Sequence, residues 1–266
     1  MSAERRIRDV RVTAMVAGGE AIDRDDCVAA EEPLEIRIAG RPLAVVMRTP
    51  GDDIDLAAGF LKAEMIIATA DDVGTIRHCQ GEDNIIDVRL SPDRARSAEA
   101  MLAERMAERS TITSASCGVC GKKTIESLHA GAVPFSSKVK IDPAMIASLP
   151  GRLRQSQEVF DKTGGLHAAA IFDGGGNLLV LREDVGRHNA VDKCVGHLLL
   201  RETSPSDGIL VVSGRTSFEI IQKALVARIQ TVVAVSAPSS LAIELATASN
   251  MSLFGFVREG KLNAYA

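Results

Sequence analysis

The chain has 266 residues, 46% apolar and 25% charged, which suits one large domain or two small ones around a real core. No Trp, a single Tyr and a net charge of −4 without a long basic run argue against nucleic acid as a partner. No apolar h-region follows the N-terminus and no stretch reaches membrane-spanning length, so neither secretion nor membrane insertion is expected.

The first thirty residues are charged and weakly periodic and are expected to be partly loose. Leu34–Ile38 alternates, Leu43–Met47 follows, and Gly40 between them predicts a hairpin. Pro50-Gly51-Asp52-Asp53 opens a predicted helix over Ile54–Ile67, with acidic residues at its positive end. A strand is predicted over Asn84–Leu90 and an amphipathic helix over Asp93–Glu108. Further on, strand Ala168–Phe172, turn Asp173–Asn177 and strand Leu178–Leu181 precede a helix over His188–Arg201. Strand Ile209–Val212, helix Phe218–Ile229, strand Val232–Val235 and helix Leu241–Ser249 follow in alternation. Two short strands bracket Arg258-Glu259-Gly260-Lys261. The pattern predicts an α/β fold with a mostly parallel sheet between helix layers. The expected organisation is a loose segment over 1–30, a small α+β domain over 31–110, and a larger α/β domain over 111–266.

Five cysteines, an odd number, favour free thiols in a reducing cytoplasm over a disulfide framework. Cys117-Gly118-Val119-Cys120 stands out. The run before it is short-chained and polar, and Lys122 and Lys123 follow it. Positive charge and a helix beginning near Lys123 favour the thiolate, the form that attacks sulfur. A lone CxxC leaves zinc binding, dithiol redox and sulfur transfer open on residue types alone. Cys27, Cys79 and Cys194 read as plain residues.

Ligands of open α/β sheets bind beyond the carboxyl ends of the strands. Three such ends are polar, and each leads into a helix: 182–189 with Arg187 and His188, 213–217 with Ser213 and Arg215, and 236–240. Free helix N-termini with two arginines make a phosphate cradle. Gly165 and His167, in Thr163-Gly164-Gly165-Leu166-His167, offer a backbone that a ligand can approach closely, with a histidine beside it. Asp192 and Lys193 read as a solvated helix face.

These motifs together resemble the formate dehydrogenase accessory sulfurtransferase family (the FdhD type). The matching stretches are Gly59-Phe60-Leu61, Ser116-Cys117-Gly118-Val119-Cys120-Gly121, Gly164–Ala169, Glu183–Lys193, Ser213-Gly214-Arg215 and Gly255-Phe256-Val257-Arg258. They occur in the family's order across roughly residues 30 to 265. Met65 stands where the family usually carries Gly.

The resemblance implies a larger domain like cytidine deaminase, with three layers, and a homodimer. It implies that Cys117 takes persulfide sulfur from a cysteine desulfurase, with Cys120 in a supporting role. The sulfur goes to a molybdenum (or tungsten) bis-guanine-dinucleotide cofactor, a bound substrate, for formate dehydrogenase. The stretch Phe256-Val257-Arg258-Glu259-Gly260-Lys261 lines that cofactor's site by the same resemblance. Deaminases hold zinc with His-x-Glu before a CxxC. Here the CxxC comes first and no Glu follows His167-Ala168-Ala169, so neither a metal site nor deaminase activity is expected. An alternative is a chaperone for the cofactor or the apo-enzyme, with incidental thiols.

Overall fold

A computed structural model describes residues 3–108, 133–139, 141–204, 207–258 and 260–266. Strands β1 (Ile7–Ala14) and β2 (Ile22–Ala29) form an antiparallel ribbon of their own. The expectation of a loose segment over 1–30 is therefore corrected. The charges that look aperiodic along the chain pair across the strands: Arg11 meets Asp25 at 2.9 Å, and Thr13 Oγ1 donates to Asp23 at 2.7 Å.

A second sheet holds β3 (Glu32–Ile38), β4 (Arg41–Arg48), β5 (Val73–Cys79) and β6 (Glu82–Leu90), in the order β4-β3-β6-β5. The predicted β3–β4 hairpin turns at Ala39 and Gly40, both left-handed. Helix α1 (Asp53–Ala63) covers this sheet, burying Leu56 and Leu61 against Leu34, Ile36 and Ile86. Helix α2 (Pro92–Glu108) adds Ala98 and Leu102. Helix α1 is shorter than predicted because Met65 turns left-handed (φ 58°) and Ile66 N–H returns to Leu61 C=O. This is the position where the resemblance expects Gly.

The third sheet holds β7 (His167–Phe172), β8 (Leu178–Asp184), β9 (Ile209–Val212), β10 (Thr231–Ala234), β11 (Ser252–Arg258) and β12 (Lys261–Ala264). The order is β12-β11-β10-β9-β7-β8. Only β9, β10 and β11 are mutually parallel; the remaining pairs are antiparallel. The expected mostly parallel sheet is thus a mixed one. The physical reason is loop length: the tight turn at 173–177 and the two-residue connection between Arg258 and Lys261 are too short for a crossover and force hairpins.

Alternation along the strands feeds a core on each face. Ala169, Ile171, Leu210, Val212, Val232 and Ala234 pack against α5 (Arg187–Leu200), α6 (Phe218–Val226) and α7 (Ser240–Ala248). Ala168, Ala170, Phe172, Ile209, Val211 and Val233 pack against α3 (Pro143–Gln155). The sequence pattern missed α3, because Pro150 and Gly151 interrupt it. Burial of Ile146, Leu149 and Leu153 on one stripe overrides those residues. The short α4 (Glu158–Thr163) lies against β2.

Helices α1 and α5 cross at two glycines. A Cβ at Gly196 would stand 2.6 Å from the Gly59 nitrogen and closer still to the Asp55 carbonyl. The two sheets are therefore joined by backbone contact, with α1 serving both.

Candidate functional site

The registers bring the sequence-predicted loops to one edge of the large sheet. Strands β8, β9, β10 and β11 point the same way, so Asp184, Val212, Ala234 and Arg258 end together, and His167 begins β7 opposite Asp184. Phe256 N–H donates to Ser236 C=O at 3.2 Å, which ties the C-terminal hairpin to the loop after β10.

Arg187, His167 and Gly214 are neighbours. A Cβ at Gly214 would lie 3.2 Å from His167 Nδ1 and 3.8 Å from Arg187 Cδ, so glycine lets the loop after β9 close onto both. Helices α5 and α6 start at this edge with N-caps Gly186 and Ser217, neither of which caps with its side chain. His188 follows Arg187 and lies 3.7 Å from Glu219, whose carboxylate accepts a 2.6 Å bond from Ser217. Neither ring nitrogen of His188, nor Arg187 Nε, nor Thr216 Oγ1 has a hydrogen-bond partner among the described residues.

The electrostatics are cationic. His188 is held down to about 3, first by burial and then by Lys223, Arg187 and His167. His167 is also lowered, by burial, then by Arg187 and Arg215, against the opposing pull of Asp184. Two histidines kept neutral beside Arg187 and Arg215 form a region that suits an anion. Lys223 is balanced by Asp192, with both carboxylate oxygens 2.7 Å from its Nζ. Burial pushes Asp192 up to about 6 despite that partner.

Other predicted residues fall in different places. The half-buried Ser213 hydroxyl accepts the Ala168 N–H at 2.9 Å and so ties the loop after β9 to the start of β7. Gly165 is exposed beside Ala29 of β2. Phe256 is left-handed (φ 52°) and exposed, and Arg258, Gly260 and Lys261 are exposed at the hairpin tip. The Val257 side chain is fully buried in the core beside α3. Cys117, Cys120 and Glu259 lie outside the described residues. Cys194 is buried, its thiol pushed up to about 12 by burial while it donates to Ala169 C=O. Cys27, Cys79 and Cys194 are free thiols.

Sequence reasoning missed Asp184, Asp192, Lys193 and Lys223. Asp192 and Lys193 are buried, not on a solvated face. The available signal was their setting: charges in a helix where Ala190, Val191, Cys194 and Val195 leave little polar face. Among the described residues no group of three or more His, Cys, Asp or Glu could hold a metal ion, and no helix is long and apolar enough to cross a membrane.

A model of the FdhD/NarQ family matches residues 29–266. The chain is 46% identical to "Sulfur carrier protein FdhD" of Streptomyces avermitilis, over 98% of this chain and 94% of that protein. It is 46% identical to the protein of the same name from Mycolicibacterium paratuberculosis, over 96% of this chain and 95% of that protein. A crystal structure from Desulfotalea psychrophila, of a protein described as "a putative formate dehydrogenase accessory protein", superposes with TM-score 0.76. It covers 97% of this chain and 96% of its own at 24% identity, and so shares the fold. A family match across nine-tenths of the chain, supported by relatives of this similarity over almost its whole length, places the protein: it belongs to the FdhD/NarQ family.

Proposed function

We propose that this protein is a sulfur carrier serving formate dehydrogenase. The observation that carries the reading is the match itself. Residues 29–266 fit the family, that span includes Cys117-Gly118-Val119-Cys120, and relatives 46% identical over nearly the whole chain are named sulfur carrier protein. In this reading the Cys117 thiolate attacks the persulfide of a cysteine desulfurase. It takes the outer sulfur and releases the desulfurase thiolate. The sulfur is then passed to a molybdenum (or tungsten) bis-guanine-dinucleotide cofactor, which is substrate and not a resident group. Cys120 supports the exchange by hydrogen bonding or by resolving a mixed disulfide. The working unit is a cytoplasmic homodimer.

The cationic sheet edge supports the nucleotide part of this reading. Arg187, Arg215 and the α5 and α6 N-termini suit pyrophosphate. The same edge favours a second reading, a cofactor chaperone, because it holds an anion without any thiol. One experiment separates them. A strain lacking its own factor is complemented with the wild-type chain, Cys117→Ala or Arg187→Gln. Sulfur transfer requires Cys117→Ala to abolish formate dehydrogenase activity and Cys120→Ala to be milder. Full activity in Cys117→Ala, with loss in Arg187→Gln, overturns it in favour of the chaperone. Intact mass after desulfurase treatment should show one added sulfur atom, absent in Cys117→Ala.

A further inference from the structure

The loop that presents Arg187 and His188 is gripped by a residue from the other sheet's unit. Thr49, between β4 and α1, uses all of its polar groups there. Its N–H donates to Asp184 at 3.2 Å, its carbonyl accepts Lys193 Nζ at 2.8 Å, and its hydroxyl oxygen accepts the Val185 N–H at 3.1 Å. Asp184 and Lys193 are fully buried with their charges 2.7 Å apart. Asp184 also accepts from the Gly186 N–H at 2.8 Å and from Asn189 Nδ2 at 2.9 Å, and Asn189 donates on to Met47 C=O at 2.7 Å. Val185 and Gly186 before the two residues, and Asn189 after them, are therefore all tied to this cluster. Gly186 has no room for a side chain, since a Cβ would lie 2.7 Å from Asn189 Nδ2.

A buried ion pair is a poor way to gain stability, because apolar residues of similar volume serve as well or better. What such a pair supplies is fixed direction. This one sits immediately behind Arg187, whose Nε has no hydrogen-bond partner among the described residues, and His188, neither of whose ring nitrogens has one. We propose that Thr49, Asp184 and Lys193 form a positioning device that fixes Arg187 and His188 toward the anionic substrate. The N-terminal unit thereby sets the geometry of the site on the large sheet. The proposal rests on the reading above that Arg187 meets a phosphate.

The test is a double-mutant cycle read by calorimetric binding of GDP at fixed salt, with urea midpoints alongside. Arg187→Gln should weaken GDP about tenfold in the wild-type background, as loss of a charge-assisted contact does. Thr49→Val keeps the ion pair and shape but removes the acceptor for Val185, and it should weaken GDP several-fold. In the Thr49→Val background Arg187→Gln should then lose less than about threefold, because the guanidinium is already misplaced. Lys193→Met should behave the same way; if it does not fold, Thr49→Val decides. Additive losses, with Thr49→Val affecting only the urea midpoint, overturn the positioning role and leave the nucleotide reading intact. A wild-type chain that binds neither GDP nor pyrophosphate overturns both.

Discussion

Gly196→Ala is expected to destabilise the protein, against the usual direction for such a change in a helix. Alanine gains about 1 kcal/mol over glycine from helix propensity. Here the added methyl would lie 2.6 Å from the Gly59 nitrogen and closer to the Asp55 carbonyl, both backbone atoms that no side-chain rotation can move away. Ordinary carbon contacts begin at about 3.5 Å, so α1 and α5 must separate by about 1.5 Å to clear the Asp55 carbonyl. Overpacking of this kind costs about 1–3 kcal/mol, and here it falls at the upper end because the obstacle is backbone. The net loss is about 2 kcal/mol, which lowers the urea midpoint by about 1 M for an m-value near 2 kcal/mol/M. Gly151→Ala is the control. Gly151 lies within α3 with nothing inside 4 Å of a new Cβ, so propensity acts alone and the midpoint should rise. A Gly196→Ala protein as stable as the wild type, or more so, would refute the close crossing and the joining of the two sheets through it.

Met65→Gly relieves a left-handed backbone at the end of α1 and should raise the thermal midpoint, by about 1 kcal/mol of stability less the contacts of a half-buried side chain. Glu183 accepts the N–H groups of Val159 at 2.9 Å and Phe160 at 2.8 Å at the start of α4. Glu183→Ala strands both and should cost about 2–4 kcal/mol by urea denaturation, with Glu183→Gln milder. His188 is neutral in the fold, lowered from 6.5 to about 3 by burial, Lys223, Arg187 and His167. The unfolded chain therefore binds more protons between those values, and the contribution of His188 to stability is lost as pH falls through that window. His188→Gln should remove this part of the acid sensitivity, seen as a flatter urea midpoint against pH; an unchanged slope would show that His188 is not buried neutral.

The sequence by itself determined the local elements and which polar residues stand at their ends. Strand β9 and the β3–β4 hairpin follow from apolar runs and from Gly40, because strand patterning and turn residues act over a few positions. Arg187 and Arg215 were legible because a polar loop entering a helix announces a free N-terminus, whatever the rest of the fold does. The tertiary structure alone decided which charges are buried. Lys193 reads as a surface lysine until Thr49, 144 residues earlier, supplies its carbonyl, and no local window holds both partners. The tertiary structure likewise decided strand direction in the large sheet, the Gly59–Gly196 crossing, and α3, where three buried residues outweigh Pro150. Periodicity reports what each segment hides from water. The partner that receives a buried group is set by topology, because it comes from a distant part of the chain.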